Sequence, residues 1–308
     1  MLESFVNLKQ INERPWLFFV WAMVVTSVAI LVAVQLSFYI FVQGTSINLT
    51  GMFAVLFTVI PSVFFVTVLI KREEATEEEY VKKRYHESAF WERHARDIFI
   101  FLLYFAGVTL AFAMWALILP EGTFVVQVSK ICQINPGFPG CSGITGAATE
   151  IAGGASGQMG STFAIFYNNM QVMFFSFLFA FIFGAGAVFI IVWNASILGV
   201  YIGEISSHIL DIPGLSLAFI AHGVPEIAGY IAAALAGGII SVAIIRRHGS
   251  DVMSKVVFDA ILVLIFAMFS ILCGALIEAG GGTIYFWACL VIWWGTFLYM
   301  LLRFFLKL

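Results

Sequence analysis

Charge is confined to one short window of this chain. Fifteen of its 33 Asp, Glu, Lys and Arg residues fall between Lys71 and Asp97, seven basic and eight acidic. What remains is nearly free of charge over stretches long enough to cross hydrocarbon, where a helix must close its own backbone hydrogen bonds. Apolar runs at 16–42, 51–70, 98–119, 256–277 and 284–302 each meet that length. The 11% charged composition, against roughly 25% in soluble domains, makes lipid the main solvent. The expected fold class is all-α, a polytopic transmembrane helix bundle. The net charge of -3 belongs to the loops and gives no reason to expect a nucleic-acid partner. Trp16 to Val42 exceeds the apolar core of a secretory signal, so it reads as the first spanning helix and not as a cleaved leader.

The stretch 161–245 is too long for one helix. Glu204, His208, Asp211, His222 and Glu226 are its only charged or titratable side chains apart from tyrosines. Its crossings are counted from flanking charge, because cytoplasmic loops collect Lys and Arg. With Lys9 and Arg14 inside, three crossings put 43–50 outside, 71–97 inside and 120–160 outside. An odd number of crossings through 161–245 then brings Arg246, Arg247 and Lys255 inside, and two more return Arg303 and Lys307. Fourteen of the 15 basic residues become cytoplasmic, Lys130 excepted. Three crossings suit the breaks: one run ends near Trp193 and Asn194, a second reaches Leu210, Asp211 to Gly214 reads as a turn, and a third continues to Ile245. The piece at 195–210 spans roughly 24 Å at helical rise, short for a core of about 30 Å, and reads as a short or half-helix. The expectation is about eight crossings in a multi-pass protein of the cell membrane, with both termini cytoplasmic. The chain divides into an N-terminal three-helix region at 1–120 with the charged hairpin 71–97, an outer loop at 121–162, a membrane core at 163–280 and a C-terminal helix at 281–308.

The charged hairpin is rich in Glu, Lys, Arg and Ala, without Gly or Pro, and pairs such as Glu78 with Lys82 recur at helical spacing. It reads as a solvated helical link, or as a docking surface presenting Tyr80, Tyr85, Phe90 and Trp91 to a cytoplasmic partner. The outer loop carries Gly, Ser, Thr and Ala in its second half and reads as a lid or a connector. Cys132 and Cys141 share that loop, with Pro136, Gly137, Pro139 and Gly140 between them, so a disulfide is expected if the loop faces an oxidising compartment. Cys273 and Cys289 lie in apolar helices as free thiols. Asn48-Leu-Thr50 matches a glycosylation sequon in a loop too close to the membrane for modification.

Inside the long core, Glu204 with His208 and His222 with Glu226 are each spaced i, i+4, which puts a carboxylate and an imidazole on one helix face. If the turn at 211–214 joins two antiparallel helices, the pairs face each other in the outer half of the membrane. A carboxylate there costs a few kcal/mol unless paired or wet, so these groups should face the protein interior. Three readings follow: a hydrogen-bonded network that locks helices, a proton or ion pathway, and a divalent metal site, since two Glu and two His form a ligand set suited to zinc. Asn168, Asn169 and Gln171 begin the first helix of the core, Asn194 ends it, and Glu278 reaches the same region from the seventh helix. Gly199-x-x-x-Gly203 is an association motif that serves packing within a subunit as readily as a dimer. Nothing resembles HExxH, and no Ser or Cys nucleophile is marked.

Taken in order, NNMQVMFFSFLFAFIFGAGAVFIIVWNASILGVYIGE, AHGVPEIAGYIAAALAGG, Arg246 and Ile277-Glu278-Ala279 resemble the stage II sporulation protein M family of integral membrane proteins. The resemblance covers about 163–280. Its most specific piece is His222-Gly223-x-x-Glu226, supported by Asn168, Asn169, Asn194, Leu198, Gly199 and Glu278. In spore formers the family's named member is similar to a scaffold that holds cell-wall hydrolases at the membrane and carries no known catalytic activity. The resemblance therefore implies a non-enzymatic membrane scaffold or assembly protein, a homodimer in contact with lipid and with cytoplasmic or cell-envelope partners. The rival expectation is a transporter or metal-dependent membrane protein using the His/Glu site.

Overall fold

The computed structural model of the chain describes residues 14–36, 38–42, 45–83, 88–134, 137–138, 140–141, 162–183, 186–247, 249–279 and 284–306. Its elements in chain order are α1 (Trp16–Leu36), β1 (Tyr39–Val42), β2 (Thr45–Asn48), α2 (Thr50–Lys83), α3 (Ser88–Ile118), α4 (Val125–Ile134), α5 (Thr162–Phe183), α6 (Ala187–Ile205), α7 (Asp211–Ile245), α8 (Ser250–Ala279) and α9 (Ile284–Leu306). Among the described residues, eight helices are long and apolar enough to cross a membrane, all of these except the ten-residue α4. The all-α transmembrane architecture stands. The side-chain pairs expected in the charged hairpin, Pro136 and Pro139, and the glycine-rich stretch 142–160 lie outside the described residues.

Packing divides the chain into two units. One comprises Met1–Ser62, Leu103–Met159 and Val192–Ala218, the other Val63–Leu102, Gly160–Ile191 and Phe219–Leu308. Each is assembled from separated stretches of the chain.

In the first unit, α1 lies against α3 so closely that a Cβ on Gly107 would run into the Phe19 carbonyl and come within 3.0 Å of the Ala22 Cβ. Phe18, Trp21 and Tyr104 stack beside this crossing. The buried Tyr104 hydroxyl donates to Ser62 Oγ at 2.7 Å, and Ser62 in turn donates to the Thr58 carbonyl at 2.6 Å. The same kind of contact holds α6 on α3. A Cβ on Gly199 would strike the Thr109 carbonyl and come within 2.7 Å of the Phe112 Cβ, and one on Gly203 would come within 2.7 Å of the Ala116 Cβ. The Gly199-x-x-x-Gly203 face is thus occupied inside the subunit.

In the second unit, α7 packs on α5 and α8. Every residue from Ala228 to Ile239 is buried. A Cβ on Gly237 would meet the Phe177 carbonyl of α5, and one on Gly229 would come within 2.9 Å of the Ala267 carbonyl of α8. Small residues let these backbones approach where no aqueous hydrophobic effect drives helices together. Trp293 of α9 is buried and donates from Nε1 to Ser270 Oγ of α8 at 2.8 Å.

Four local expectations are corrected. The run 16–42 is not one helix: α1 closes at Leu36 after 21 residues, long enough to span, and the β-favouring Tyr39-Ile-Phe-Val42 pairs with Thr45–Asn48, Tyr39 opposite Asn48. Asn48 serves the turn, its Oδ1 accepting from the Thr50 N–H at 2.8 Å. The helix break of the core falls between Phe183 and Ala187 and not at Asn194, which lies within α6. Gly186 stands at that break with no room for a side chain, since a Cβ would come within 2.6 Å of the Phe179 carbonyl. The helix expected to reach Leu210 ends at Ile205, and Asp211-Ile-Pro-Gly214 starts α7 instead of ending its predecessor. Pro213 is harmless in a first turn, whose N–H groups have no intrahelical partner. Finally, the front of the outer loop is helical. In α4, Gln127 and Ser129 are fully buried, and Gln127 Nε2 donates to the Gly51 carbonyl at 3.1 Å.

Candidate functional site

The structure distributes the sequence-selected polar residues over both units. Glu204 and His208 belong to the first, and His222, Glu226, Asn168, Asn169 and Glu278 to the second. Asn194 sits in the stretch of α6 assigned to the first unit and is half-buried.

Glu204 and His208 do not share a helix face. Glu204 occupies the last turn of α6, exposed, with the Glu121 carboxylate as its charged neighbour. His208 lies beyond the helix end, in the exposed turn before α7. Asp211 organises that turn: its Oδ2 accepts from the backbone N–H of Ser207 at 3.0 Å and of His208 at 2.8 Å. His208 contributes its backbone there.

The second pair is built differently. Here α7 carries His222, Glu226 and Tyr230 at successive i, i+4 positions, a ladder about 12 Å long on one face. Tyr230 is buried and donates to Asn169 Oδ1 of α5 at 2.5 Å. The Asn169 amide, itself buried, also hydrogen-bonds Glu226, so both of its ends are engaged. Glu226 further hydrogen-bonds Glu278, which stands exposed in the last turn of α8, and the Glu278 charge acts on His222 as well. The His222 ring meets the Phe219 ring edge-on at 5.9 Å. Asn168, one residue from Asn169, is half-buried.

Glycine and proline make room for this arrangement. A Cβ on Gly274 of α8 would collide with the Glu226 side chain, so the carboxyl lies in a cradle that only glycine leaves open. Within it, Glu226 Oε1 has no solvent contact and no hydrogen-bond partner. One residue earlier, Pro225 has no N–H to give the Ala221 carbonyl four residues back. Trp294 of α9 supplies the missing donor, its Nε1 lying 3.2 Å from Ala221 O. The carbonyl next to His222 is thereby satisfied from another helix.

Within each unit, no three described His, Cys, Asp or Glu side chains gather as a metal-binding group. The cluster offers instead two carboxyl groups in hydrogen-bond contact, an imidazole, a phenol and an oriented amide. Tyr230, Gly274, Pro225 and Trp294 were not selected from the sequence. Only Tyr230 carried a signal, the continuation of the His222, Glu226 spacing by four more residues.

No curated protein and no solved structure matches the chain. The segment that holds this cluster does have a counterpart: residues 142–280, under half of the chain, match the family model described as Stage II sporulation protein M.

Proposed function

We propose that this chain is a non-enzymatic membrane scaffold or assembly protein of the stage II sporulation protein M type, set in the cell membrane with both termini and the 71–97 segment cytoplasmic. The match of residues 142–280 to that family carries the reading. The cluster's own bonding supports it. Asn169 with Tyr230 joins α5 to α7, Glu226 with Glu278 joins α7 to α8, and Trp294 joins α9 to α7. The first consequence of these polar groups is to hold helices in place.

Lipid surrounds the spans, and a second copy of the chain is the expected partner. Because Gly199 and Gly203 are already packed on α3, that homodimer uses another face. Cytoplasmic or cell-envelope proteins would dock on the charged hairpin or the outer loop. The rival reading is a transporter or zinc-dependent membrane protein, and the solvent-free, unpartnered Oε1 of Glu226 is the observation that favours it.

Photo-crosslinkers placed along residues 71–97 in native membranes test the proposal. Scaffolding predicts crosslinks to the same protein from several positions, and loss of that protein from the membrane fraction when this chain is deleted. Zinc or proton flux in liposomes of the purified protein, abolished by His222→Ala and Glu226→Gln, would overturn it in favour of transport.

A further inference from the structure

The Glu226 carboxyl is seated in a way that a simple helix-to-helix strut does not require. Gly274 gives up its side chain to admit it. Oε1 is closed off without a partner, so the carboxyl bonds Asn169 and Glu278 through its other oxygen. An ionised carboxylate only accepts hydrogen bonds, so two carboxyl groups bond each other through a proton that one of them carries. Asn169 fixes the polarity of the rest. Its Oδ1 is taken by the Tyr230 hydroxyl, which leaves the amide N–H groups to face Glu226. A hard cation seeks neutral oxygens and carboxylates together, and the amide here turns its donor side to the carboxyl.

Among the described residues, the surrounding helices bring these groups. On α7 they are His222 and Tyr230, on α5 Asn169, and on α8 Glu278 itself; Cys273 of α8 and Cys289 of α9 are engaged with each other. Glu278 stands one residue before the end of α8 at Ala279, followed in sequence by Gly280, Gly281 and Gly282.

From this geometry we propose that Glu226 and Glu278 form a binding site for one exchangeable proton, reached from the end of α8 through Glu278, with the His222 imidazole as its neighbour on α7. When the site empties, the O–H bond of the shared proton breaks and the proton passes to water beyond the end of α8. The pair then goes from one negative charge to two, a change that the neighbouring His222 imidazole senses through the Glu278 charge. The inference rests on this cluster alone and holds whether the chain scaffolds or transports.

Infrared difference spectra of the purified full-length protein in lipid, recorded while the buffer is stepped from acid to alkaline pH, test it. The expected result is a protonated-carboxyl C=O band that disappears as pH rises. The band is absent in Glu226→Gln and in Glu278→Gln, kept in Glu204→Gln of the other unit, and moved in midpoint by His222→Ala. Adding zinc or sodium at fixed pH leaves it unchanged. A band that survives both glutamine variants, or that Glu204→Gln removes, overturns the proposal. So does its loss on adding zinc or sodium, which would make the pair a cation site. Should Glu226→Gln fail to elute as a monodisperse, cooperatively unfolding protein, Glu278→Gln at the helix end carries the same test.

Discussion

Trp294→Phe removes the donor that reaches the carbonyl left open by Pro225, at 3.2 Å in the structure. A buried carbonyl without a partner costs about 1–3 kcal/mol in soluble proteins. Hydrogen bonds between membrane helices measure lower, about 0.6 kcal/mol on average and about 1.7 at most. The expected contribution of this bond is therefore about 1 kcal/mol, on top of whatever the smaller ring loses in packing. A double-mutant cycle separates the two. In a Pro225→Ala background the new N–H closes the ordinary bond to Ala221, so Trp294→Phe there retains only its packing cost. Unfolding of the four variants in lipid-detergent mixtures should give a coupling of about 1 kcal/mol between positions 225 and 294. Equal costs of Trp294→Phe in both backgrounds would refute the assignment of Trp294 to the Pro225 carbonyl.

Three further outcomes are expected. A cysteine at Gly249, beside Arg247, should resist membrane-impermeant label in intact cells and react once the membrane is opened; labelling from outside would reverse the charge-based orientation. Cys132 and Cys141 have Cα atoms 5.6 Å apart, within the span a disulfide bridges, so the unreduced protein should yield the linked peptide by mass spectrometry, and two free thiols would contradict it. Gly199→Leu and Gly203→Leu should each destabilise the subunit by about 1–3 kcal/mol through overpacking against α3, leaving its self-association affinity unchanged; a selective loss of self-association would return the motif to a dimer interface.

The spans were legible because length and absence of charge decide them: a run that fills the hydrocarbon has few alternatives to a helix. The interior breaks were harder. Asn194 looked like a helix end, yet an amide is tolerated within a buried helix when another group takes its hydrogen bonds. Pro213 and Gly214 looked like a stop, but the same residues suit a first turn, and only the Asp211 bonds to Ser207 and His208 reveal which side of the break they serve. That difference separated His208 from the helix of Glu204. His222 and Glu226, on an uninterrupted helix, kept the common face their spacing implied. Their partners could not be read from order alone. Gly274 contributes only an absent side chain, and Trp294 answers the Ala221 carbonyl, orphaned by Pro225, 73 residues earlier in the chain. The amphipathic front of the outer loop was hidden by the glycine-rich composition that follows it.

The central claim is that Asn169 of α5 is clamped between Tyr230 and Glu226 of α7. Solid-state NMR on protein in lipid bilayers, with the Asn169 side-chain amide nitrogen and the Glu226 carboxyl carbon labelled, measures this distance most directly. A hydrogen bond with nitrogen and oxygen about 3 Å apart predicts strong dipolar dephasing, lost in Glu226→Ala and unaffected by Glu204→Gln. Absence of dephasing in the folded wild-type protein would contradict the account.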